Sequence, residues 1–573
     1  MGGAFWIAVL AALALGATAQ QHQALNAYSA QAAIAEPAAD QVPTDAENAT
    51  VLGLSPTPAG FEPDPVHEKD EEHRKEIEEV EVEVVELKWT IVVSLVCLLL
   101  TFLIAHYLES IHFDYLPEAG VAVLLGIAAS AIFRAAQGKM MLVDMRFDFE
   151  FFMIWLLPPI IFEAGYNMNR KAFFDNIFPT TLFAFFGTVM SAFVVAGIMI
   201  GAGEAGISHP MGGLAALTFG SLISATDPVT VLAVFQALGV KVDLFSMVFG
   251  ESVMNDAVAI VLSRTMLSFK YAEINAVNIA LAGVLFLKIF VGSTLIGVLF
   301  GMLSSYVTKH AHMSDHADAL FKEAVLVAVF AWSSYFVAEA FELSGIVAIL
   351  FCGIVMAKYT RDNLSEQAQT LTSRTFKVLA LLAETFVFVY LGMAAFAFPI
   401  WDHIGWTTVA VALFACFAGR LQIYIFSFIT NVCFRRGPNP AMPPISTTYM
   451  HVMYFSGLRG GVAFAISAVG FQNMDFPDNG DSLVVMQTTL VIALFTIFFM
   501  GGTITDLAKY TGVLERDNPT IAPKRKLMQE DGMFGKLDKF AIRPFFTHHH
   551  KGFDAEVDDL DDSSTAVHVV PRK

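Results

Sequence analysis

Between residues 89 and 504 the chain is a succession of apolar runs joined by short polar connections, and several runs carry a charge far from either end. This pattern decides the fold class. A hydrocarbon core of about 30 Å takes a helix of roughly 20 apolar residues and offers the backbone no water, so each span must satisfy its own amides. The run 244–267 has that length, with Asp256 at its centre. Of the 573 residues, 55% are hydrophobic and 15% charged, and the apolar residues fall in blocks, not at amphipathic spacing. The reading is an all-α polytopic membrane protein.

About thirteen transmembrane helices are expected within residues 89–505. An odd number permits two inverted six-helix repeats joined by a long seventh span (277–307), a plan that puts the transport site near the midplane where helices break. The fifth span (212–235) then pairs with the twelfth (449–469). The fifth contains Thr226-Asp227-Pro228 and the twelfth Gly457-Leu458-Arg459-Gly460-Gly461. Pro228 removes a backbone donor and glycines are poor helix formers, so both spans should be broken and cross there. Irregular backbone at this depth survives only inside protein or beside a wet cavity.

Charge bias in the connections gives an orientation. Arg170, Lys171, Lys241, Lys309, Lys358, Arg361, Arg374, Lys377, Arg435 and Arg436 fall on one side with the tail, whereas the loops 201–210, 398–406 and 471–482 have no Lys or Arg; Lys139, Arg146 and Lys270 are exceptions to this strong asymmetry. The positive side is read as cytosolic, which leaves the amino end lumenal or extracellular. Residues 1–19 read as a secretory signal peptide ending in Ala-Thr-Ala, and 20–88 as an acidic lumenal segment with a glycosylation sequon at Asn48. A short cytosolic tail follows from 506 to 573. The formal net charge of −20 comes largely from these ends and says little about the core. Cys97, Cys352, Cys416 and Cys433 sit in apolar runs at no metal-ligand spacing and read as buried small hydrophobes.

Charge at the bilayer centre costs roughly 2.5–3.5 kcal/mol on insertion scales, so such residues mark an ion or proton path. Asp256 would take either a proton or a small cation, and that competition is all that exchange requires. Asn255 and Thr226 can offer neutral oxygens to a hard cation, and Asp227 can bind the cation or neutralise amides exposed at the break. Glu251 and Asn255 are four residues apart and share a helix face, whereas Asp256 projects about 100° away, so Glu251 suits an ion pair with Arg420 or Arg459. Glu163 and Glu384 are also intramembrane and can line the ion path or pair structurally. No nucleotide-binding glycine loop, zinc-helix motif or nucleophile elbow is present, so no cofactor, nucleic acid partner or enzymatic centre is read.

The motifs LLPPIIFEAGY (156–166), FGSLISATDPVTVLAVF (219–235), VFGESVMNDAVAIVL (248–262), ELSGIVAILFCGIVMAKY (342–359) and GLRGGVAFAIS (457–467) together resemble the eukaryotic Na+/H+ exchangers of the cation/proton antiporter superfamily. Their wording is closest to the organellar branch, with the plasma-membrane branch as the alternative. The resemblance implies a homodimer whose protomers work by alternating access, with Asp256 as the ion-binding aspartate and Asp227 as the aspartate of the unwound helix. It also implies that Asn255 marks the electroneutral class, one Na+ or K+ per proton, that Glu251 pairs with Arg420, and that Arg459 stabilises the broken twelfth span. The tail is short beside those of many plasma-membrane members, which puts calcium-binding regulatory subunits in doubt. The rival reading from a different class is a cation channel or a non-transporting pH sensor.

Overall fold

The computed structural model describes residues 92–108, 110, 111, 113, 116–137, 151–227, 229–269, 276–311, 320–397, 405–433, 444–472, 481–514 and 542–547. The signal peptide, the acidic segment, Asn48, Pro228 and most of the tail lie outside them.

The described residues are nearly all helical. In chain order they form α1 (Val92–Leu108), α2 (Glu118–Gln137), α3 (Phe152–Tyr166), the short α4 (Arg170–Asp175), α5 (Ile177–Glu204), α6 (Gly213–Ile223) and α7 (Val229–Leu238). The second half continues with α8 (Val242–Ser268), α9 (Ala276–Ala311), α10 (Leu320–Ala340), α11 (Gly345–Val355) and α12 (Glu366–Ala397). It closes with α13 (Trp406–Arg420), α14 (Gln422–Cys433), α15 (Thr447–Phe455), α16 (Gly461–Gln472), α17 (Asp481–Thr511) and a single turn, α18 (Arg543–Phe546). Seven helices among the described residues are long and apolar enough to cross a membrane, and shorter apolar helices accompany them.

Burial separates helices that composition makes alike. In the most apolar stretch of α8, 89% of residues are buried, whereas in α9 the share is 17%. A helix apolar all round is either enclosed by protein or bathed by lipid, and only packing tells the two apart. α8 is therefore the enclosed helix, and it carries Asp256.

Close approach between helices depends on glycine. A Cβ at Gly126 in α2 would strike the carbonyl of Val389 in α12, and one at Gly392 would strike the carbonyl of Val123. The two glycines face each other and let the backbones meet, the usual device where lipid supplies no hydrophobic drive.

Both expected breaks are present. α6 stops at Ile223 and the chain is non-helical as far as Asp227; α15 stops at Phe455 and regular helix resumes only at Gly461. The eleventh apolar run is one 28-residue span, Trp406–Cys433, in which Leu421 keeps right-handed helical backbone angles and marks a local irregularity between α13 and α14. One expectation needs correction. Among the cysteines, Cys97, Cys352 and Cys416 are buried, but Cys433, the last residue of α14, is exposed.

Candidate ion-binding site

The two breaks meet. The backbone N–H of Asp227 donates to the carbonyl of Leu458 at 2.9 Å, tying one interruption to the other. A helix that stops inside a membrane leaves carbonyls without partners, each costly if unsatisfied. Arg459 meets that need: its Nη1 donates to the carbonyls of Ser224 at 2.8 Å and Ala225 at 3.0 Å. Its own backbone is held by Thr496, whose hydroxyl accepts from the Arg459 N–H at 3.1 Å and donates to the Arg459 carbonyl at 3.0 Å. Arg459 was expected to stabilise its own broken span; its side chain instead serves the opposite one. Gly460 is required for the contact, because a Cβ there would lie 2.5 Å from the Asp227 side chain.

α8 closes the site from a third side. Asn255 Nδ2 donates to Thr226 Oγ1 at 2.7 Å and to the Ser224 carbonyl at 3.4 Å, while Asn255 Oδ1 accepts from the Thr226 N–H at 3.2 Å. Thr226 Oγ1 in turn donates to Ser252 Oγ at 3.1 Å. Asn255 and Thr226, both expected to offer oxygens to a cation, are here bonded to each other and pin the break against α8.

Asp256 lies one residue beyond this frame. It is 4% exposed, and its Oδ1 has no hydrogen-bond partner among the described residues. Its charged neighbours are Asp227, Glu251 and Arg459. A buried carboxylate oxygen with no donor is costly to maintain, and a proton or a bare cation is what satisfies it.

Glu251 points elsewhere, as its position on the helix requires. Its carboxylate makes a two-pronged ion pair with Arg420, Nη1 to Oε1 at 2.5 Å and Nη2 to Oε2 at 2.9 Å, and both residues are buried. Arg420 Nη2 also donates to the Met453 carbonyl at 2.8 Å, at the end of α15 before its break. Arg420, beside the irregularity at Leu421, thus links α8, α13 and α15.

The other two candidate acids do not border Asp256. Glu163 is half-buried and accepts from Asn167 Nδ2 at 3.0 Å. Glu384, on α12, has Glu163, Asp227 and Glu118 as charged neighbours, and neither Glu163 nor Glu384 is among the charges around Asp256. The structure therefore joins Thr226, Asp227, Glu251, Asn255, Asp256, Arg420 and Arg459, with Glu384 reaching the group as a charged neighbour of Asp227 and Glu163 as a charged neighbour of Glu384.

Ser252 and Thr496 escaped the sequence reading. Ser252 precedes Asp256 by four residues and so shares its helix face, a signal that was available. Thr496 carried no local signal, since only the fold brings α17 to the second break.

Buried charge at crossed helix breaks, in an all-helical membrane bundle, is the architecture of a secondary ion transporter. The solved structure of the sodium proton antiporter MjNhaP1 from Methanocaldococcus jannaschii has the same fold, with a TM-score of 0.56 at 17% identity, covering 75% of this chain and 98% of that one. The sodium/hydrogen exchanger transmembrane family matches residues 92–510, and the chain belongs to it. Sodium/hydrogen exchanger 8 of Mus musculus is 36% identical over 458 residues, which are 78% of this chain and 76% of that protein. Sodium/hydrogen exchanger 5 of Arabidopsis thaliana is 35% identical over 414 residues, 72% of this chain and 78% of that one.

Proposed function

We propose that this protein is an electroneutral antiporter that exchanges one Na+ or K+ for one proton at Asp256 and so regulates organellar or cellular pH and volume. The observation that carries the reading is the Asp256 carboxylate, buried, with one oxygen lacking any donor and a second carboxylate, Asp227, beside it. Proton and cation compete for that oxygen. Asp227 is the second cation ligand, and Thr226 and Asn255 add neutral oxygens when the bond between them opens. Arg459 and the Glu251–Arg420 pair hold the breaks in register. Glu163 and Glu384 line an approach to Asp227.

Transport then needs the loaded site to face each side in turn, within a homodimer in the lipid bilayer, with the amino end lumenal or extracellular and the tail cytosolic. The membrane is an endomembrane (Golgi or endosome) or the plasma membrane, and the motif wording closest to the organellar branch favours the first.

The test uses purified protein in sealed liposomes with an internal pH dye. External Na+ or K+ should alkalinise the lumen at the same rate whether or not a potassium diffusion potential is imposed. A response that requires the potential, or a cation current without proton movement, would replace the antiporter with a channel.

A further inference from the structure

Within the tail, the described residues 542–547 sit on the bundle through a set of contacts that the ion site does not use. Phe546 offers its carbonyl to two donors, Asn363 Nδ2 at 2.8 Å and Ser305 Oγ at 3.0 Å. Lys309 Nζ donates to the carbonyls of Pro544 at 2.6 Å and Phe545 at 3.0 Å. The Phe545 ring stacks on Tyr306, with centroids 5.7 Å apart and planes 24° from parallel. Thr547 is buried beside them.

These are the contacts that the end of a single helical turn demands. The last carbonyls of any helix lack intrahelical partners, and a turn as short as α18 has almost none. Three side chains supply them, and the positive charge of Lys309 lies where the backbone dipole is negative. Asn363 is itself oriented by the carbonyl of Ser305 at 3.0 Å and is buried, so the receptor is built into the bundle. It joins the end of α9 to the 3-10 turn Arg361–Asn363 that follows α11.

We propose that residues 542–547 are a docking peptide and that the cleft formed by Ser305, Tyr306, Lys309 and Asn363 is its receptor in the same chain. The peptide anchors the carboxyl-terminal tail to α9 and the turn after α11, not to the broken helices. Residues 515–541 span at most about 90 Å when fully extended, so their length does not assign the peptide to its own chain, and the test does.

Amide hydrogen exchange on the full-length protein reads the docking directly. The peptide spanning 543–547 should exchange at least ten-fold faster in the Asn363→Ala, Ser305→Ala double variant than in wild type, and Phe545→Ala, which lies outside the helical bundle, should give the same direction with α9 unchanged. Equal exchange in wild type and in both variants would overturn the proposal. In mixed dimers of isotopically labelled wild-type and unlabelled Asn363→Ala, Ser305→Ala subunits, the labelled peptide 543–547 should stay protected; fast exchange of the labelled peptide would place it on the neighbouring copy and overturn the same-chain assignment.

Discussion

The backbone N–H of Asp227 and the carbonyl of Leu458 are 2.9 Å apart, although 231 positions separate the two residues in the chain, and this bond fastens one helix interruption to the other. The crossing is thereby a defined object and not merely two weak places in two helices. Arg459 completes it by binding the carbonyls of Ser224 and Ala225.

Removing that guanidinium should therefore act first on stability. Arg459→Ala leaves two buried carbonyls short of a donor, at about 1–3 kcal/mol each. Its thermal midpoint in detergent should fall by several degrees relative to wild type. Arg459→Lys offers a single ammonium where a planar fork spanned two acceptors, and should fall between the two.

The crossing also shows what the sequence could and could not convey. Thr226-Asp227-Pro228 and the glycines around Arg459 announce two interruptions, because proline and glycine act on the backbone locally. Asp256 announces itself by its depth in an apolar run. Which partner Arg459 serves is a matter of tertiary geometry, and so is the role of Thr496. The exposure of α9 against the burial of α8 was hidden, since lipid and protein interior select the same side chains.

The Glu251–Arg420 pair should be far more sensitive to losing one partner than to losing both. Glu251→Leu or Arg420→Met alone strands a buried charge, at about 3–5 kcal/mol, whereas the double change Glu251→Leu, Arg420→Met should recover most of the stability. Thermal midpoints of the four proteins form a double-mutant cycle. Strict additivity would mean that the pair is not coupled.

Asn255→Asp tests the frame around the fifth-span break. The amide donates to Thr226 Oγ1 and to the Ser224 carbonyl, and a carboxylate can do neither. The variant should unfold at lower temperature by an amount equivalent to about 1–3 kcal/mol. A midpoint equal to that of wild type would show that the frame does not depend on these bonds.

Gly460→Ala puts a methyl 2.5 Å from the Asp227 side chain, so one of the two must move. Overpacking of this kind costs about 1–3 kcal/mol, and here it displaces a proposed cation ligand as well. The apparent affinity for Na+ in liposome assays should weaken several-fold. Gly392→Ala, in the tight α2–α12 contact, should destabilise the protein without that change in affinity.

The most direct test of the central claim is a comparison of wild type with Asp256→Asn, both checked for the same thermal midpoint and reconstituted side by side, with 22Na+ uptake driven by an outward proton gradient. The amide preserves shape and removes the group for which proton and cation compete. The account predicts robust uptake by wild type and none above empty liposomes by the variant. Uptake by Asp256→Asn at a rate comparable to wild type would contradict it.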